Sequence, residues 1–303
     1  MTHSFLGKEV TVEIKGGLGN QMFQYAAARS FSLEIGAKLL VEKNLGFKID
    51  RHYKRNFELD KLPTVYVVSK FCNSFPFYLD RIKSFYIKQF RDGEAKEKFI
   101  SRIFERNFRF IDLVKVDRTR KRYWMSGYFQ DPRYFQSHKE RVLKELTPPM
   151  PSDRKYAELA KLSEEFELVA VGIRIYEESA SPEVHARDGM RKSIEDYQYV
   201  LENLAEKVSN PLILVFTTRQ FSFLESMGFP ANTIFVNSDT NFHGATDKLW
   251  LLSQCQHHIF NNSTFYWWGA ALSEANFKGI NQQIFCADNF LNPDISYPHW
   301  ESF

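Results

Sequence analysis

Gly16-Gly17-Leu18-Gly19-Asn20-Gln21-Met22-Phe23-Gln24-Tyr25-Ala26-Ala27-Ala28-Arg29 is the stretch whose reading decides the fold. Before it, Val10, Val12 and Ile14 alternate with Thr11, Glu13 and Lys15, the period of a half-buried strand. After it, Met22, Phe23, Ala26, Ala27 and Ser30 recur at helical spacing. The stretch reads as strand, glycine turn, helix. Glycine permits the tight turn and lets a ligand approach closely. The free N–H groups of a helix start favour an anion, typically a phosphate. Asn20 stands where the helix begins, able to cap it or to offer its amide to a ligand. The loop is neither of the two common phosphate loops. No Lys-Ser/Thr pair follows, and Met22 stands where the dinucleotide fingerprint needs its third glycine. On pattern alone, a ligand loop and a plain strand-to-helix turn weigh about equally.

Working outward, residues 37–43 read as a second strand after the helix, which completes a β-α-β unit and implies a parallel sheet. Residues 44–62 carry Arg51, His52, Lys54 and Arg55. They read as a basic loop over the C-terminal edge of the sheet or as a plain solvated loop. After Pro76, residues 71–90 form an amphipathic helix candidate with Lys83 and Lys88. It can pack on its own domain or touch a membrane surface. The basic run 118–122 reads first as a solvated face. Tyr123 to Phe135 reads as a strand, a turn at Asp131-Pro132 and a helix start.

Thr147-Pro148-Pro149-Met150-Pro151-Ser152 cannot continue a helix and marks a domain boundary, giving domains 1–150 and 151–303. In the second half, strand candidates at 167–173, 211–216, 233–236 and 257–260 alternate with helix candidates at 194–207, 219–227, 245–254 and 264–275. Continuous apolar strands between helices mean a parallel sheet covered on both faces. The fold class is therefore α/β, with two Rossmann-like domains.

Composition limits the function. The 303 residues are 44% hydrophobic and 25% charged, enough for a real core. A net charge of +3 gives no argument for nucleic acid. No run of 18 apolar residues predicts a transmembrane helix, and the start lacks an apolar signal core, so a cytoplasmic protein is expected. Cys72, Cys255 and Cys286 are odd in number and far apart, which argues against a disulfide framework or a Cys-type zinc site. His257 and His258 are strand neighbours and face opposite sides, so no joint metal site is expected. No Asp-x-Asp triplet occurs, so the expectation is no metal and no cofactor.

Two further strings carry candidate chemistry. The strand 167–173 runs into Gly172-Ile173-Arg174-Ile175-Tyr176-Glu177, and strand ends face the ligand crevice of an α/β sheet. Arg174 there can hold a diphosphate through its planar fork of donors. The second is Asn261-Asn262-Ser263-Thr264-Phe265-Tyr266-Trp267-Trp268, reading as strand end, turn and helix. Ser263 or Thr264 would cap that helix, with a pyrophosphate resting on Ser263, Thr264 and the Phe265 N–H. At least one of Trp267 and Trp268 packs, since adjacent helical residues point apart.

The Gly-Gly-Leu-Gly-Asn-Gln-Met-Phe-Gln-Tyr-Ala string resembles the N-terminal signature of the bacterial α-1,2-fucosyltransferases, glycosyltransferase family 11. The segment Gly127-Tyr128-Phe129-Gln130 with Tyr134-Phe135 resembles a second signature. The stretch 247–272, from Asp247 through Asn262-Ser263-Thr264-Phe265-Tyr266-Trp267-Trp268 to Leu272, resembles a third, Asn-Ser-Ser/Thr-Phe-Ser-Trp-Trp. At 172–177 the family carries His-x-Arg-Arg-x-Asp. Here the first Arg stays as Arg174, the His and second Arg are replaced by Gly172 and Ile175, and the Asp by Glu177.

The resemblance implies a GT-B enzyme, two Rossmann-like domains facing a cleft, acceptor-side first and donor-side second. It implies inverting transfer of L-fucose from GDP-fucose to a galactoside in surface-polysaccharide synthesis. The acceptor would be an oligosaccharide, lipid-linked at the inner membrane face. Donor contacts are expected from Gly17, Gly19, Asn20, Gln21, Arg174, Asp247, Asn262, Ser263, Thr264 and Phe265, with Asp247 near the ribose or base. Catalytic candidates are Arg174, Asn20 and Glu177; Glu177 and Asp131 are the carboxylates near motifs for a general base. Another sugar nucleotide on the same fold, or a catalytically weak glycan-binding protein, remain open alternatives.

Overall fold

The computed structural model describes residues 7–48, 50, 53–69, 93–96, 100–175 and 192–303. These form two α/β units. The first ends at Leu146; the second runs from Thr147 to Phe303 and takes in Lys61–Pro63.

In the first unit the strands are β1 Glu9–Glu13, β2 Lys38–Glu42, β3 Val67–Val68, β4 Gly93–Lys96, β5 Ser101–Phe104 and β6 Arg122–Ser126. Their order is β3-β2-β1-β6-β5-β4, parallel except for β4 on β5. The strand expected to be half-buried is buried on both faces: Thr11 and Glu13 are 8% exposed, because β1 lies in the middle of the sheet. The Glu13 carboxylate accepts from the Ser126 hydroxyl at 3.0 Å, which satisfies both groups inside the sheet.

Helix α1, Leu18–Glu34, follows the glycine turn and ends at Gly36, whose φ of +63° suits glycine. It is tied to helix α2, Lys139–Leu146, by a buried knot. Arg29 donates to both oxygens of Glu145 at 2.7 and 2.8 Å, and the Tyr25 hydroxyl donates to Oε2 at 2.6 Å. Burial would raise the Glu145 carboxyl, but the bonds from Arg29, Tyr25 and Arg141 outweigh it and hold it below its ordinary value. The final residues of the opening motif thus build the scaffold.

The second unit contains β7 Glu167–Gly172, β8 Pro211–Phe216, β9 Ile234–Val236, β10 His257–Phe260, β11 Ile284–Cys286 and β12 Glu301–Ser302. Their order is β12-β11-β10-β7-β8-β9, all parallel. Its helices include α3 Arg154–Lys161, α4 Ile194–Lys207, α5 Ala245–Ser253 and α6 Thr264–Asn276. The helix expected at 219–227 is instead a 3₁₀ segment, Ser222–Met227, stopped by Gly228 at φ +70°. Trp267 and Trp268 are both fully buried, and Trp267 Nε1 donates to Ile295 O at 2.9 Å, so both pack. Cys255 and Cys286 are buried free thiols.

Each sheet has one point where the chain reverses the direction in which it adds strands. In the first unit it lies between β1 and β6; in the second it lies between β7 and β10. In open parallel sheets, ligands bind outside the carboxyl ends of the strands at this switch point. Two of the motif strings, 16–29 and 126–135, lead away from the first switch point. The described part of a third, 172–175, and the fourth, 261–268, lead away from the second.

Candidate active site

At the first switch point Gly16 has φ +78°, and a Cβ there would lie 2.8 Å from Asn20 Nδ2. Glycine is required on both counts. Gly17, not Asn20, occupies the N-cap, and no side chain caps the helix. Asn20 lies three residues further on, half-buried, and its Oδ1 accepts from Gln130 Nε2 at 2.8 Å. That bond links the chain leaving β1 to the chain leaving β6. Gly19 is buried in the same turn.

Gln21 is fully buried and its amide is committed to backbone. Nε2 donates to Gly16 O at 2.9 Å and Asn56 O at 2.8 Å, and Oε1 accepts from Glu58 N at 2.9 Å. Gln24 brackets Lys15 in the same way, accepting from its N–H at 2.8 Å and donating to its carbonyl at 3.2 Å. The ligand contact expected of Gln21 is thus replaced by a structural one: it holds residues 56–58 against the glycine turn.

The turn after β6 has a partner that no motif announces. Glu105 Oε2 accepts from the N–H groups of Tyr128 and Phe129, each at 2.8 Å. These bonds support Phe129 at φ +53°. Gly127 is glycine because a Cβ there would lie 2.6 Å from Glu105 Cβ. Burial pushes the Glu105 carboxyl up, against the pull of the two N–H groups. Tyr128 stacks on Phe108, with the Lys15 ammonium 4.7 Å from its ring centre. Asp131 is 1% exposed and bound to the Arg133 N–H and guanidinium at 2.9 and 3.0 Å, so it caps the following turn and is not placed as a general base. Nearby, Lys43, Lys48, Lys54 and Arg55 line a basic hollow of about 400 Å³. Arg51 and His52 of that loop lie outside the described residues, as do the helix candidate 71–90 and Cys72.

At the second switch point Asn261 does the joining. It is 1% exposed; its Oδ1 accepts from Arg174 N at 3.0 Å and its Nδ2 donates to Arg174 O at 2.7 Å. One amide side chain thereby clamps the backbone of the half-exposed arginine just past the end of β7. Ser263 takes the N-cap position of α6 in extended conformation, but its hydroxyl does not cap the helix as expected. Thr264, Phe265 and Tyr266 form the first turn, which carries no acidic side chain. Asn262 is half-buried beside them. The Tyr266 hydroxyl donates to Phe216 O at 2.8 Å, at the end of β8.

Asp247 lies in the first turn of α5, after Gly244 at φ +81°, where a carboxylate also suits the helix dipole. The Tyr156 phenol is pushed up to about 12, by burial first and by the Asp247 charge second. Beside Arg174, a cavity of about 330 Å³ is lined by Ile173, Ile175, Ile194, Tyr197, Phe223 and Asn261 among others. The Tyr197 hydroxyl is buried without a hydrogen-bond partner among the described residues.

With these positions fixed, the relatives can be set beside them. The family model for glycosyl transferase family 11 matches residues 9–302. An Escherichia coli alpha-1,2-colitosyltransferase is 31% identical over 286 aligned positions, covering 87% of each chain. This chain belongs to glycosyltransferase family 11. It is also 23% identical to the Escherichia coli O-antigen biosynthesis glycosyltransferase WbnK, covering 92% of this chain and 98% of that one. Among solved structures, a mutant of Arabidopsis thaliana FUT1 in complex with GDP aligns with a TM-score of 0.50 at 14% identity, covering 92% of this chain and 70% of that one. The fold of this family 11 glycosyltransferase is GT-B in class, built from two Rossmann-like units, as the resemblance implied.

Asn20 stands at the switch point of the first unit. Arg174, Asn262, Ser263, Thr264 and Phe265 gather at the switch point of the second. Glu177 lies outside the described residues. Gln130, Asn261 and Tyr266 lie inside motif strings but give no sequence sign of their roles, and Glu105 lies in no motif at all. His257 and His258 make separate internal bonds, to Glu167 at 3.2 Å and to Cys255 O at 3.1 Å. Among the described residues, no three His, Cys, Asp or Glu side chains come together as metal ligands. No described helix is long and apolar enough to cross a membrane.

Proposed function

We propose that this glycosyltransferase moves a 6-deoxy-L-hexose of the L-fucose type from a GDP-linked donor to a hydroxyl of a galactoside in an acceptor oligosaccharide. The observation that carries the reading is the Asn261 clamp, which presents Arg174 at the switch point beside the start of α6. The reaction is a single inverting displacement on a β-linked donor, giving an α-1,2 linkage. Charge builds on the departing diphosphate, and donors held in place before the reaction stabilise it most effectively. Arg174, the N–H groups at the start of α6 and the Ser263 and Thr264 hydroxyls supply those donors, with Asp247 toward the ribose or base. Neutralisation by these groups needs no divalent metal. Asn20, held by Gln130, serves the acceptor side of the reaction by positioning.

WbnK, named for O-antigen biosynthesis, supports a surface-polysaccharide role, with a lipid-linked acceptor used at the cytoplasmic face of the membrane. A second reading has a specific support. The 31% identical relative is named for colitose, the 3-deoxy counterpart of L-fucose, and the cavity beside Arg174 has an apolar wall of Ile173 and Ile175.

Calorimetry with GDP, UDP, dTDP and CMP tests the nucleotide, and transfer assays with GDP-fucose, GDP-colitose and GDP-mannose test the sugar. GDP binding with transfer of fucose or colitose is expected. Tight UDP or dTDP binding without GDP binding overturns the donor, and GDP binding without any transfer leaves a glycan-binding protein.

A further inference from the structure

Two departures from the family strings, far apart in sequence, meet in space. Gly172 stands where His-x-Arg-Arg-x-Asp begins, and Tyr266 stands where the third string has the Ser that follows its Phe. A Cβ built on Gly172 would lie 2.6 and 2.7 Å from Cδ2 and Cδ1 of the Tyr266 ring. Atoms do not approach that closely, so no side chain fits at 172 while the ring is there. Gly172 is not among the residues with positive φ, so the constraint is space and not backbone conformation. The ring is 6% exposed, and its hydroxyl is turned to Phe216 O. The third departure, Ile175 for Arg, lies on the apolar wall of the cavity beside Arg174. Gly172 and Ile175 offer no polar side chain at this strand end and the Tyr266 hydroxyl is turned to Phe216 O, while Arg174 and Asn262–Phe265 are kept.

We propose that Gly172 and Tyr266 act as one unit that sets the donor-sugar preference. With the ring over Gly172, no hydrogen-bonding side chain reaches the ligand crevice from that position. The site then favours a donor hexose with one hydroxyl fewer, because a hydroxyl desolvated without a partner costs binding. This rests on the GDP-linked 6-deoxyhexose reading above.

The test compares kcat/KM for GDP-L-fucose and its 3-deoxy counterpart, GDP-colitose, in the wild type and three variants. The wild type is expected to prefer the 3-deoxy donor. Gly172→His with Tyr266→Ser restores a polar side chain at the strand end. It is expected to shift the ratio about tenfold toward fucose, the worth of one hydrogen bond. Tyr266→Phe keeps the ring and is expected to leave the ratio within about twofold. Thermal unfolding adds an independent readout: Gly172→His alone lowers Tm, and adding Tyr266→Ser recovers part of the loss. If the double variant does not fold, Tyr266→Ser alone, which adds no atoms, is expected to move the ratio several-fold toward fucose. A ratio unmoved in every folded variant that lacks the ring, or stability losses that simply add, overturns the proposal. Absence of GDP binding to the wild type instead defeats the donor reading itself, so the two failures are told apart.

Discussion

Replacing Asn261 by alanine should disable Arg174 without touching it. The side chain makes two bonds to one residue's backbone, at 3.0 and 2.7 Å, from a position 1% exposed. Each is worth about 1 kcal/mol net. Arg174 is half-exposed, so water replaces part of what is lost, and the fold should weaken by about 2 kcal/mol, well short of unfolding a domain of this size. The effect on rate should be larger. A displacement of about 1 Å in a positioned group costs about 100-fold in turnover. Removing a donor that stabilises developing charge costs about 100- to 1000-fold, which is the expectation for Arg174→Ala itself.

The decisive measurement is the cycle of Asn261→Ala, Arg174→Ala and the double variant. Urea melts give stability, and kcat/KM for transfer is taken per folded molecule. If Asn261 acts through Arg174, the double variant should be no slower than Arg174→Ala alone, because residues acting as a unit are not additive. Rate losses that multiply, or an Asn261→Ala enzyme that turns over like the wild type, would refute the reasoning.

Three further outcomes are expected. Burial pushes the pKa of His258 down to about 3, and burial outweighs Glu167 in lowering His257, so the unfolded chain takes up protons first as pH falls. Stability should be complete above about pH 6.5 and fall by about 1.4 kcal/mol per pH unit below it through His258, with His257 acting in the same direction, so equal urea midpoints at pH 7.5 and 5.5 would contradict this. Gly16→Ala forces a side chain into φ +78° and against the Asn20 amide, which should cost about 1–2 kcal/mol and slow transfer further by moving Asn20; a variant with normal melts and normal rate would return the loop to a plain turn. Transfer should survive EDTA, since no Asp-x-Asp triplet is present and Arg174 and the start of α6 are available to the diphosphate; loss restored by manganese or magnesium would reverse that expectation.

The sequence by itself determined the architecture. Alternation, helical spacing and proline breaks are local signals, so the β-α-β start, the strands at 211–216 and 257–260 and the helix at 194–207 were legible in them. The motif strings also gave the family, because they are long and occur in order. What the chain could not show alone was the partner of each polar group, since partners come from distant strands. The order in which strands lie side by side set which loops meet, and only that order turned Asn20 from a cap into the partner of Gln130, 110 residues away. The same holds for Gln21, whose amide reads as a ligand group and is consumed by residues 16, 56 and 58. It holds for Glu105, whose value lies in backbone N–H groups beyond a neighbouring strand. And it holds for Gly172, where the missing side chain is explained by a ring 94 residues on that fills the volume it would need.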